Sequence, residues 1–175
     1  MTNMKIQKLL YYTQSLNLAL QDEVLFNEEI QAWRYGPVCP EVYYFYCKFE
    51  EQQLPVPDQK DFMDSFALEQ RQLLEEVWMH FGEHNAFILS DMTHAEFPWR
   101  KARKGLPKNA RSTEPILIAD LKLLGQEKLD EIERSHPAYS PIIRERLEEA
   151  FSASSEKTQY VEPGDVRDWL TSLLD

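Results

Sequence analysis

The stretch Glu28-Glu29-Ile30-Gln31-Ala32-Trp33-Arg34-Tyr35-Gly36-Pro37-Val38 decides how the front of this chain is read. Ile30 to Tyr35 reads as a short strand, and Val24-Leu25-Phe26 as another, joined through Asn27-Glu28-Glu29 into a small hairpin. Gly36-Pro37 then breaks the second strand. Gly36 suits a backbone conformation or a close approach that a side chain would block, and Pro37 fixes the exit that Val38 continues. On a strand, Trp33 and Tyr35 share one side and Arg34 takes the other.

Helical signals surround this stretch on both sides. Before it, Met4 to Leu20 is an amphipathic helix, with Ile6, Leu9, Leu10, Thr13, Leu16 and Leu20 on one face. After it, Pro40 opens a helix carrying Val42 to Phe49. Leu54-Pro55-Val56-Pro57 is an extended linker. A helix from Ala67 to Phe81 carries Leu73, Leu74, Val77, Trp78 and Phe81 on its apolar stripe. Asn85 caps a further helix, Ala86 to Ala95. Pro98 to Lys104 is a short turn, and Thr113 caps a helix from Glu114 to about Arg134. Ser140-Pro141 opens another that ends near Phe151, a polar linker spans Ser152 to Thr158, and Asp165 to Leu174 forms a last short helix. The expected fold is mostly α (α+β): a compact helical domain over residues 1–124 with one small β-hairpin, then a helical C-terminal extension over 125–175.

Composition narrows the function. The chain has 175 residues, of which 43% are apolar, enough for a core without metals or disulfides. Its net charge of −11 repels phosphate backbones, so nucleic acid is disfavoured as a partner. No apolar run approaches a membrane span and no signal-peptide pattern opens the chain. With two cysteines, a reducing cytoplasmic setting is expected.

Three clusters invite a catalytic or metal reading, and each has a plainer one. His80 and His84 have a helical i,i+4 spacing used by zinc sites, but Gly82 ends the helix between them and no third ligand stands out. Ser90, Asp91 and His94 lie too close on one helix for a nucleophilic relay, and no nucleophile elbow surrounds Ser90. Cys39 and Cys47 lack CxxC spacing. There is no Gly-rich phosphate loop. No catalytic residue, metal or cofactor is expected. The charge pattern is more informative: Arg100, Lys101, Arg103, Lys104, Lys108 and Arg111 fall in one acid-free stretch, leaving −17 on the rest of a chain whose total is −11. With Phe97 and Trp99 beside it, this is either a solvated loop or a docking patch for an acidic partner surface or a phosphate-bearing ligand.

Three motifs stand in order along the chain: MKIQKLLYYTQ (Met4–Gln14), EEIQAWRYGPVCPEVY (Glu28–Tyr43) and LSDMTHAEFPWRKAR (Leu89–Arg103), the last preceded by LLEEVWMHFG. As a set they resemble the Panacea domain, the SocA-like antitoxin domain of bacteria and their phages, over roughly Met1 to Leu124. The resemblance implies a mostly helical domain without catalysis that neutralises a cognate protein toxin by direct binding. Two alternatives within it are a proteolytic adaptor that delivers the toxin to an ATP-dependent protease, and a phage-encoded interaction protein of the same fold. The signature and contact residues it implies are Trp33, Tyr35, Gly36, Pro37, Val38, Thr93, His94, Pro98, Trp99, Arg100 and Arg103. Thr93 and His94, one turn ahead of Pro98-Trp99, are placed to hydrogen-bond the hairpin and lock two motifs together. Some family members carry a DNA-binding helix-turn-helix before the domain, for which this sequence leaves no room. Residues after Leu124 have no counterpart in the resemblance, and Trp169 and Leu170 mark a possible docking helix there.

Overall fold

The computed structural model describes residues 1–55 and 66–135. The helices are α1 (Asn3–Gln21), α2 (Pro40–Tyr46) with a 3-10 turn at Cys47–Phe49, α3 (Leu68–Phe81), α4 (Ala86–Ala95), α5 (Phe97–Ala102) and α6 (Ile118–Ser135). Two short antiparallel strands, β1 (Gln31–Trp33) and β2 (Gly36–Val38), lie between α1 and α2. The architecture is thus mostly α with a minor β part, as the sequence predicts.

Helix α1 is the hub. Thr2 caps its start by accepting the Lys5 amide, and Asp22 closes its end in the left-handed region. The amphipathic stripe understates its burial. Tyr11, Tyr12, Leu16 and Leu18 are all at or below 2% exposure, and so are Gln7, Lys8, Gln14 and Ser15. Tyr12 stacks face to face on Phe81 of α3, with ring centroids 3.9 Å apart. Its hydroxyl donates to Glu96 Oε1 at 2.9 Å, and Lys128 of α6 lies 3.3 Å from the same oxygen. Burial pushes the Glu96 carboxyl above the ordinary range, against the pull of Lys128 and Tyr12. On the α6 side, a Cβ on Gly125 would lie 1.9 Å from the Ser15 carbonyl oxygen, so the helices touch where α6 has no side chain.

The buried polar residues of α1 hold loops in place, and this corrects the hairpin. Gln14 accepts the Leu25 amide at 2.8 Å and donates to the Phe26 carbonyl at 2.7 Å. Val24-Leu25-Phe26 is therefore not a strand: a side chain takes the backbone partners that a neighbouring strand would need. The observed hairpin lies further along, with Gln31 opposite Val38, Ala32 opposite Pro37 and Trp33 opposite Gly36. Gly36-Pro37 forms its second strand instead of ending one, and Arg34-Tyr35 is the two-residue turn. Trp33 and Tyr35 consequently do not share a strand face. Pro37 is tolerated because Ala32 sends its amide the other way, to Glu114 O at 2.8 Å, so that pair needs no N–H from Pro37.

Residues 114–116 run along that outer edge of β1. Ile116 donates to Ile30 O at 2.8 Å, and Pro115 bridges Gln31. The helix expected from Glu114 starts at Ile118 for this reason: the residues before it are extended to cover a strand edge. The turn expected at Pro98–Lys104 is the helix α5, with Pro98 at its start. Helix α4 has the predicted bounds, and Asn85 accepts the amides of Phe87 and Ile88, each at 3.0 Å. The expected helices beyond residue 135 and the residues Trp169 and Leu170 lie outside the described residues.

Candidate functional site

The hairpin turn is held by its carbonyl oxygens. Ala32 O accepts from Arg103 at 3.2 Å, Trp33 O from the Trp99 indole at 2.8 Å, Arg34 O from His94 Nε2 at 3.1 Å, Tyr35 O from Ser90 Oγ at 3.0 Å and Pro37 O from Lys8 Nζ at 2.9 Å. These donors come from α1, α4, α5 and the residue that ends α5. Five carbonyls in six residues are thus fixed by side chains distant in sequence. A two-stranded hairpin is marginal by itself. Here each hydrogen bond adds about 1 kcal/mol of restraint, and more where the donor is charged.

Arg103 carries the largest share. It is 2% exposed, and its guanidinium reaches Ala32 O, Pro107 O and Ala110 O while its plane sits 4.6 Å from the Trp99 ring centroid. Only Arg has the forked donor geometry to join a hairpin and a loop in this way. The expected surface patch of six cations therefore contains one that is inside the protein. Of the rest, Lys101 pairs with Asp120 at 2.7 Å, Lys104 with Glu114 at 3.2 Å and Lys108 with Asp91 at 3.7 Å. Arg100 and Arg111 are exposed and have no ion pair among the described residues.

The other expected site residues fall into two groups. Gly36, Pro37, Val38, Thr93, Pro98 and Trp99 are buried, and Trp33 is half-buried against Tyr43, 5.0 Å between centroids. Tyr35 and Arg100 face solvent, as does Arg34, with the Arg34 guanidinium over the Tyr35 ring at 5.0 Å. Thr93 bonds within its own helix, to Ser90 O, whereas His94 makes the expected link to the hairpin. Because a carbonyl accepts from it, His94 carries its proton on Nε2. Burial and then Lys108 hold its pKa below the usual histidine range, so the ring is neutral at pH 7. Ser90 and His94 each bind a different turn carbonyl and not one another, which accounts for the residues that resemble a relay. His80 Nε2 lies 3.4 Å from Glu76, and no group of three ligating side chains is placed to hold a metal among the described residues.

Two residues that the sequence reading did not place at the hairpin belong to this site. Ser90 latches Tyr35. Lys8, on the buried face of α1, is 1% exposed with a carbonyl as its hydrogen-bond partner, and burial lowers its pKa to about 7. A lysine between Gln7 and the pair Leu9-Leu10 was the only signal. Below pH 7, Lys8 is charged both folded and unfolded, and folding bears the full desolvation cost. Above it, the folded state releases the proton while the unfolded chain keeps it up to about 10.5, so stability rises with pH. Between pH 7 and 9 the wild type is expected to gain about 1–3 kcal/mol relative to Lys8→Met. Urea unfolding at both pH values measures this, and parallel pH dependences for the two proteins would refute it.

Lys8, the Arg34–Pro37 turn and the Ser90–Arg103 segment thus meet at one place. The family model described as antitoxin SocA-like, Panacea domain, matches residues 6–100, more than half of the chain and most of these residues. No curated protein and no solved structure matches the chain.

Proposed function

Because the chain belongs to the SocA-like antitoxin family with a Panacea domain, we propose that it neutralises a cognate protein toxin by binding it directly, with no catalytic step. The observation that carries this reading is the latched hairpin. Its backbone is fixed by five side chains, while the turn residues Arg34 and Tyr35 point outward. A contact surface already rigid before binding avoids the ordering cost of association. Arg and Tyr are residue types enriched at binding hot spots. No described helix is long and apolar enough to cross a membrane, so an aqueous protein partner fits.

The test is co-expression with the product of a neighbouring toxic gene. Growth is expected to recover, and the two proteins to co-purify as a stoichiometric complex. Absence of both protection and binding would end this reading. The toxin's half-life in cells with and without ATP-dependent proteases separates blocking from delivery: blocking leaves it unchanged, and a protease-dependent fall identifies an adaptor.

A further inference from the structure

Beside the turn lies a groove of opposite charge to the body of the protein. One cavity of about 620 Å³ is lined by His94, Phe97, Trp99, Arg100, Arg103 and Lys108 among others. A second, of about 280 Å³, is lined by Arg34, Tyr35, His94, Lys108 and Asn109. His94 and Lys108 line both, so the two cavities adjoin and together make a grooved surface between the hairpin turn and α5. Arg34, Arg100, Lys101, Arg103 and Lys108 bring five cations to it, of which Lys101 is paired with Asp120 and Lys108 with Asp91, on a chain whose net charge is −11.

Two buried polar atoms of residues lining this groove have no partner: Arg103 Nε and His94 Nδ1. The first is a donor on a guanidinium that is 2% exposed and has no carboxylate in ion-pair contact among the described residues. The second is an acceptor, since His94 keeps its proton on Nε2 for Arg34 O. A buried donor and a buried acceptor left open each cost stability that a ligand can restore. A phosphate group would satisfy the donor but offers no N–H to His94. A peptide offers both, with carboxylate oxygens for the cations and amide N–H groups for the imidazole.

We propose that this groove takes an acidic segment of the protein partner, a run of Asp and Glu side chains lying across Arg34, Lys108 and Arg100 with a carboxylate directed toward Arg103. Phe97, Trp99 and Leu106 line the floor and wall, and an apolar side chain within the segment packs there. The acidic remainder of the chain repels such a segment everywhere else, which fixes where it docks and speeds its approach. This rests on the protein-binding reading above and names the chemistry of the partner's contact.

The probe is a fluorescein-labelled ten-residue peptide of Glu and Asp with one central Leu, titrated with the full chain in low salt and followed by anisotropy. Saturable binding that weakens with added salt is expected. Arg34→Glu/Arg100→Glu, two exposed positions, should keep the wild-type melting temperature and bind at least about tenfold more weakly. Equal affinity of variant and wild type, equal binding of a Lys-for-Glu peptide, or displacement of the peptide by a short oligonucleotide but not by unlabelled peptide would each overturn the proposal. Growth rescue separates it from the function: if wild type and variant protect cells equally, the groove assignment fails and the antitoxin reading stands. If wild type protects nothing, the antitoxin reading fails whatever the peptide does.

Discussion

Arg103→Ala is expected to lower unfolding free energy by about 3 kcal/mol or more, a large effect for one residue. The truncation leaves the carbonyls of Ala32, Pro107 and Ala110 without their shared donor, at about 1–3 kcal/mol for each that stays buried. It also opens space under Trp99. Relief from burying an uncompensated charge offsets part of this, but not the loss of four backbone partners at once, Lys108 O being the fourth. Arg103→Lys is expected to recover little, because one ammonium cannot span from β1 to the 107–110 loop. Urea denaturation gives the numbers, and an Arg103→Ala midpoint equal to wild type would show that the carbonyls find water instead. Loss of amide-exchange protection around Trp33 should accompany the drop.

Gly36→Ala is the second large effect, at about 3 kcal/mol. Gly36 sits at φ +101, where any Cβ is strained. That Cβ would also stand 2.7 Å from Thr93 Oγ1 and 2.8 Å from both Lys8 Cε and Nζ. Neither neighbour can withdraw: Thr93 is fully buried, and Lys8 is 1% exposed and tied to Pro37 O. Overpacking therefore adds to the backbone strain. Gly105→Ala supplies the control, since Gly105 has φ +80 but nothing within 4 Å of the added carbon. It should cost only the strain, about 1–2 kcal/mol. If calorimetry finds the two variants equally destabilised, the close approach of Lys8 and Thr93 contributes nothing.

What the sequence revealed was local, and what it hid was long-range. Helix α4 could be read to the residue because its start is written in one side chain, Asn85, and its end falls at Glu96, which is extended and stands two positions before Pro98. The hairpin was legible as a hairpin but not in register. Gly36-Pro37 looks like a break unless one knows that Ala32 turns its amide to Glu114, so that the Ala32–Pro37 pair needs no N–H from Pro37. Val24-Leu25-Phe26 has strand composition, and only Gln14, eleven and twelve positions from the atoms it bonds, keeps it from pairing. In the candidate site, Tyr35 and Arg100 are exposed, while Arg103 is buried although it stands in a run of like charges that gives no hint of it. His94's link to the turn was foreseeable from its spacing to Trp99; the same role for Ser90 and Lys8 was not.

The contact between Gly125 and Ser15 also sets a schedule for synthesis. The two residues stand 110 positions apart, so a ribosome adding about 5–20 residues per second needs roughly 5–20 s to reach the second after making the first. Throughout that interval the hub helix has emerged without the helix that closes over it. Tyr11, Tyr12 and Leu16 wait for Leu121 and Leu124. A nascent chain stalled or cut at residue 100, where the family match ends, therefore holds every latch of the turn but Arg103 and lacks the lid of its own core. Such a fragment exposes apolar surface that chaperones and proteases recognise, so the amount of folded protein in a cell follows the number of chains completed rather than the number begun.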